Sequence, residues 1–251
     1  MEYFWKQQND IPQEMGYPLF GAAHLLSVGV TLLLVIAAMT VIRKKSLRTQ
    51  RRVMKIIPVF MLILEALKDL FLMSVGRFSI GYLPLHVCSI GIFVFLLREY
   101  LPWDKAKKYF GEVAVVLIMP ASLAALIFAD WTIYYPVLNF INLHSYLWHG
   151  LLVLYPLLLY QAKEISPSIK HIHWVIIFLC LVVPPIYLFD KHFGCNYFFV
   201  NQPVPGTPLM WLASFMGNPG YLAGYAILVI LVLALVYLIF WSLGTEVGDH
   251  F

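Results

Sequence analysis

Seven stretches of this 251-residue chain are long and apolar enough to be read as membrane crossings, and they constrain its fold more than any other feature. A bilayer core about 30 Å thick takes about 20 mostly apolar residues of helix. The stretches lie at about 20–42, 56–76, 83–98, 113–129, 140–161, 174–189 and 220–242. Hydrocarbon offers backbone N–H and C=O groups no partner, so each run must bond them internally, which a helix does. The first, sixth and seventh are plain apolar runs. The second, third and fifth carry polar groups and are recognised by length and flanks. The expected fold class is all-α: one integral membrane domain over 1–251, a polytopic bundle of seven transmembrane helices.

Composition supports this reading. The chain is 61% hydrophobic and 12% charged, whereas an average soluble domain is about 45–50% apolar and about a quarter charged. So few polar residues cannot cover a water-facing surface. A soluble enzyme domain, a disordered tail and a nucleic-acid-binding module are therefore excluded. The net charge of +4 leaves no nucleic-acid footprint. Three cysteines, Cys88, Cys180 and Cys195, are too few and too spread for a disulfide framework or a zinc site. The polar start, Met1 to Gly16, lacks the basic residues and cleavage site of a signal peptide, so the first apolar run is expected to insert the chain.

Orientation follows from the basic residues of the connecting segments. Arg43, Lys44, Lys45, Arg48, Arg51, Arg52 and Lys55 follow the first stretch. Arg98, Lys105, Lys107 and Lys108 follow the third, and Lys163 and Lys170 the fifth. The opposite side holds Lys6, Arg77 and Lys191. This bias sets the N-terminus outside and the C-terminus inside, which needs an odd number of crossings. The basic segments serve topology and attraction to anionic headgroups. Aromatics (Trp131, Tyr134, Tyr135, Tyr197, Trp211) mark the outer interface. The segment 190–219, with Asn196, Tyr197, Asn201 and four prolines, is the one long outer loop and either covers a site or is a plain surface loop.

Polar side chains in lipid are costly and face the bundle interior. The second stretch carries Glu65, Lys68 and Asp69 on one face, either an ion cluster locking helices or a relay for protons or substrate. The third opens with LPLHVCSIG, where His86 and Cys88 point roughly 200° apart around a helix. The fifth carries NLHSYLWHG, with Asn142, His144, Ser145, Trp148 and His149. Each alone reads as a packing or hydrogen-bonding group. Together, one cysteine and three histidines at the outward ends of two helices suggest a site. A neutral histidine can stabilise a thiolate and a carboxylate can orient the histidine, an arrangement suited to attack on an ester carbonyl at the lipid interface. Donors such as Asn196 or Tyr197 would hold the oxyanion.

The segments LPLHVC, LHSYLWHGLLVLYPL and GCNYFFVNQP resemble the YwaF-like bacterial integral membrane proteins, a family similar to the eukaryotic transmembrane protein 164 acyltransferases. The resemblance covers roughly residues 20–240. In the eukaryotic branch a membrane cysteine and a downstream histidine carry acyl transfer between phospholipids, and by motif these match Cys88 and His149. The flanks HV and SIG around Cys88 differ from the family context, which brings His86 forward as a polar group of interest.

Three functional expectations follow. The first is a membrane-embedded, cysteine-dependent acyltransferase or lipid hydrolase, with Cys88 as nucleophile and His149 or His144 as base. Glu65, Lys68, Asp69, Asn142, Ser145, Asn196 and Tyr197 form its polar surroundings. Its partners are membrane lipids and an acyl-lipid substrate, it needs no cofactor, and it resides in the bacterial plasma membrane. The second is a seven-helix transporter, channel or small-molecule receptor using Glu65, Lys68 and Asp69. The third, a metal site from His86, Cys88 and a histidine of the fifth stretch, matches no known spacing, so no metal is expected.

Overall fold

A computed structural model describes residues 2–243. In chain order its helices are α1 (Ala22–Arg43), α2 (Leu47–Ser74), α3 (Val87–Tyr100), α4 (Asp104–Val113), α5 (Met119–Ile127), α6 (Phe140–Gln161), α7 (Ile172–Phe193), α8 (Pro208–Met216) and α9 (Tyr221–Ser242). A π-helical turn, Ala114–Ile118, joins α4 to α5. No strand occurs among the described residues. Four helical segments are long and apolar enough to cross a membrane: Ala22–Arg43, Asp104–Ile133, Ile169–Phe193 and Tyr221–Ser242. Helices α2 and α6 match them in length but carry charged or polar side chains inward. With 14 residues, α3 reaches only about 21 Å.

The chain divides into two compact units. The first comprises residues 1–78 and 121–162. Its centre is α6, buried on most of its circumference. Helix α1 packs on α6 through a narrow stripe that includes Thr31 and Val35, while buried His24 sets its Nε2 2.9 Å from the Leu126 carbonyl of α5. Gly150 of α6 makes this approach possible: a Cβ there would lie 3.1 Å from Thr31 Cγ2. Small residues let helices approach closely in lipid, where van der Waals contact drives association. Helix α2 also packs on α6, through buried Met54, Ile57, Met61, Glu65 and Leu72 at helical spacing. Glu65 therefore lies on the packing stripe.

The second unit comprises residues 79–120 and 163–251, described to residue 243. Helix α3 packs on α4 and the π-turn, α7 on α4 and a 3₁₀ turn at Tyr197–Phe199, and α8 on α9. Helix α7 stops at Gly194, whose φ of 68° lies in the left-handed region that glycine enters without strain.

Three boundaries differ from the sequence expectation. Helix α2 begins at Leu47, capped by the Ser46 hydroxyl, so Arg48, Arg51, Arg52 and Lys55 lie on a helix rather than in a loop. Helix α3 begins at Val87 rather than near 83, because Leu83, Leu85 and His86 are extended or turn residues. The segment 190–219 contains α8, started by a Thr207 cap and Pro208 in the first turn, where a missing N–H costs nothing.

Candidate functional site

In the first unit the start of α6 is pinned by Asn139. Its Oδ1 accepts from the N–H groups of Ile141 (2.9 Å) and Asn142 (3.4 Å), while its Nδ2 donates to the carbonyls of Tyr3 (2.7 Å) and Lys6 (2.9 Å). The helix start is thereby set at Phe140. His144 then lies roughly 6 Å and His149 roughly 14 Å from that end, at 1.5 Å per residue.

Both histidines are buried and ring-stacked. His149 lies parallel to Trp131, centroids 5.2 Å apart and planes at 7°, and His144 against Trp148 at 5.5 Å and 19°. His149 Nδ1 is 2.7 Å from the carbonyl of Ser145. A carbonyl only accepts, so Nδ1 carries the proton and Nε2 holds the lone pair of the neutral ring. Ser145 thus contributes its backbone oxygen. The His144 ring faces the Leu64 backbone of α2, and its Nε2 has no hydrogen-bond partner. His149 is therefore tethered through one nitrogen to a main-chain carbonyl, the geometry that orients a general base.

Asn142 is fully buried, and its amide is spent on architecture. Oδ1 accepts from the Tyr17 hydroxyl (3.0 Å) and the Trp131 indole (3.1 Å), and Nδ2 donates to the Val137 carbonyl (2.8 Å). Trp131 in turn is the plate against which His149 stacks. On α2, Lys68 Nζ lies 2.9 Å from Glu65 and 3.3 Å from Asp69. The three charges neutralise one another down to a net −1, and Lys68 with His149 are the ionisable groups facing His144.

In the second unit, His86 is the residue before α3 and Cys88 lies in its first turn. Cys88 is shallower than a helix starting near 83 implies. The His86 ring stands edge-on to Tyr197, centroids 4.8 Å apart, and 5.5 Å from Phe199. Tyr225 of α9 has Cys88 and Tyr221 as ionisable neighbours. Both groups expected to hold an oxyanion are already engaged, Asn196 inside its own loop and Tyr197 at the turn before α3. Asn196 Oδ1 accepts from the N–H groups of Asn201 (3.1 Å) and Gln202 (2.9 Å), its Nδ2 donates to the Gln202 carbonyl (2.9 Å), and the Tyr197 hydroxyl donates to the Ile80 carbonyl. Phe198 and Phe199 both have positive φ, 52° and 57°, a strained state for bulky residues that this network holds in place.

Two buried carboxylates escaped sequence reasoning, Glu112 and Asp190, each 0% exposed. Asp190 lies in the last turn of α7, its oxygens facing the Tyr197 backbone amide. Burial pushes the neighbouring Cys195 thiol up, and the Asp190 charge adds to the shift. Glu112 lies one residue before the apolar run that begins at Val113. Both acids border an apolar run, a position that sequence does not distinguish from the solvated end of a helix. Among the described residues no three His, Cys, Asp or Glu side chains gather as metal ligands do.

A family model described as the TMEM164 family matches residues 19–237. No curated protein and no solved structure matches the chain.

Proposed function

This chain belongs to the TMEM164 family, and from that premise we propose that it is a membrane-embedded lipid-modifying enzyme of the YwaF-like bacterial branch. It transfers or hydrolyses an acyl group of a phospholipid or related substrate in the plasma membrane. In this reading it crosses the membrane seven times, N-terminus outside and C-terminus inside.

Cys88 supplies the nucleophile and His149 the general base. Attack of the thiolate on the substrate ester carbonyl forms an acyl-thioester and releases the lysolipid alkoxide, which takes a proton. A second lipid hydroxyl, or water, then attacks the thioester, gives up its proton and restores the thiol. The place of Cys88 in the first turn of α3 supports this, because the unpaired N–H groups of a helix start favour a thiolate. The observation that carries the reading is the tether of His149 Nδ1 to Ser145, which leaves Nε2 as the proton-accepting nitrogen. His144, its Nε2 without a partner, is the second candidate for the base.

Lipid profiling of deletion cells complemented with Cys88→Ala, His149→Ala or His144→Ala tests the assignment. Cys88→Ala and one histidine variant are expected to reproduce the deletion profile at wild-type protein levels. Loss of a base lowers turnover by about 100-fold or more. A wild-type profile from Cys88→Ala would sink the thiol mechanism. A wild-type profile from both histidine variants removes the base.

A further inference from the structure

His149 Nδ1 lies 2.7 Å from the Ser145 carbonyl, one turn back on α6. The outer torsion of a histidine side chain is broad, so one bond through Nδ1 leaves the ring free to tilt. The second constraint is Trp131. Its ring lies parallel to the imidazole, planes at 7° and centroids 5.2 Å apart. That separation falls within offset stacking, about 4.5–7 Å. Tyr146 meets the same indole edge-on, at 5.7 Å and 72°.

Trp131 is itself locked. It sits on the short 3₁₀ turn Asp130–Ile133. Its indole N–H donates to Asn142 Oδ1 at 3.1 Å. Asn142 is held in turn by the Val137 carbonyl (2.8 Å) and the Tyr17 hydroxyl (3.0 Å). The Tyr17 N–H donates to the Thr132 carbonyl at 2.9 Å, one residue beyond Trp131. The turn is thus fixed through its backbone and the indole through its edge, and all these residues belong to the first unit. In a serine triad a carboxylate orients the histidine and offsets the charge of the imidazolium. Among the described residues His149 forms no ion pair, and the acids of α2, Glu65 and Asp69, are committed to Lys68. What His149 has instead is an indole face. Such a face attracts a cation, an attraction that exists only once the imidazole has taken a proton.

We propose that Trp131 is the positioning residue of the His149 base: its face fixes the plane of the imidazole, so that Nε2 is aimed, and it steadies the imidazolium formed when Nε2 takes a proton. Trp131 forms and breaks no bond. Nε2 takes the proton of the attacking group and returns it to the leaving oxygen or sulfur, and the indole favours the charged ring between those two transfers. This catalytic role rests on the acyl-transfer reading. The hold of Trp131 on the ring does not.

The test uses purified full-length protein in liposomes that contain an acyl-labelled phospholipid, with kcat and KM measured separately. Trp131→Leu removes the aromatic face. It should lower kcat by about tenfold or more and leave KM within about twofold, the pattern of an interaction made in the transition state. Trp131→Phe keeps a face without the indole N–H and should restore kcat to within about threefold of wild type. A second readout needs no activity: carbon relaxation of labelled histidine rings, with His149→Gln identifying the His149 signal. The ring should be rigid on the ps–ns timescale in wild type and Trp131→Phe, and mobile in Trp131→Leu. Wild-type kcat in Trp131→Leu, a loss carried by KM, equal losses in the two Trp131 variants, or a ring as rigid in Trp131→Leu as in wild type would each overturn the role. If wild type transfers no acyl group, or His149→Gln still does, the base assignment falls and the catalytic role with it, while the relaxation data alone decide whether Trp131 orders the ring.

Discussion

Replacing Asn142 with leucine leaves the Trp131 indole N–H without its acceptor and the Tyr17 hydroxyl with only its longer bond to Tyr146, 3.4 Å. An orphaned buried donor costs about 1–3 kcal/mol, and interhelical bonds in membranes fall at the low end. Asn142→Leu should therefore lose about 2 kcal/mol in all. For a chain of this size that is about 4–8 °C in Tm, read by thermal unfolding in detergent. An unchanged Tm would mean that these bonds carry no net stability. Cys195 gives a prediction in pH. Its thiol is raised above its ordinary value by burial and by Asp190, so the reactive thiolate forms only at higher pH. With Cys88 and Cys180 replaced by alanine, alkylation of Cys195 should reach half its maximal rate above about pH 8.5. Asp190→Asn should move that midpoint down. A midpoint below the ordinary value contradicts the shift. The cysteine and histidines of interest were legible as polar groups within apolar runs. Glu112 and Asp190 were not, because an acid at the edge of a run is indistinguishable by sequence from the solvated end of a helix.

At the scale of elements, apolar runs of bilayer length foretold α1, α6 and α9 to within two residues, because a helix is the form that closes backbone bonds in lipid. Helix α8 was hidden by prolines that mark loops in general. Its own start signal, Thr207 before Pro208, was readable only once the segment was split at Gly206. Which residue opens α6 is not fixed by a local pattern, since Asn139 and Asn142 both stand near its start. Tertiary bonds from Asn139 to Tyr3 and Lys6 decide it, and no local pattern encodes them. Asn139→Ala removes the cap and both outward bonds. A cap alone contributes about 1 kcal/mol. The variant should lose about 2 kcal/mol and raise amide hydrogen exchange selectively in residues 140–143. Exchange unchanged there would show that the first turn of α6 is held by packing instead.

For the molecule as a whole, the proposed seven crossings make a demand that four do not. If only the four segments of bilayer length and apolarity crossed, residues 51 and 77 would lie on the same side of the membrane. If α2 also crosses, they lie on opposite sides. Helix α2 has 28 residues, about 42 Å, enough for a bilayer core with its basic first turns left over at the inner headgroups. Its Glu65, Lys68 and Asp69 are compensated by one another, which lowers the cost of carrying them into lipid. Helix α3 is the stricter case, since its 14 residues fall short of a hydrocarbon core and need a thinned bilayer or the extended residues before Val87 to complete the passage. In a chain with Cys88, Cys180 and Cys195 replaced by alanine, single cysteines at positions 51, 77 and 107 separate the cases. An impermeant maleimide applied to intact cells should label Arg77→Cys alone. Arg51→Cys and Lys107→Cys should react only after permeabilisation. Arg77 gives up one exposed ion pair to Asp10, worth at most about 1 kcal/mol, so the reporter leaves the fold intact. Labelling of positions 51 and 77 from the same side would remove α2 from the membrane. Labelling of 77 and 107 from the same side would remove α3, and with it the outward placement of Cys88 on which the acyl-transfer reading depends.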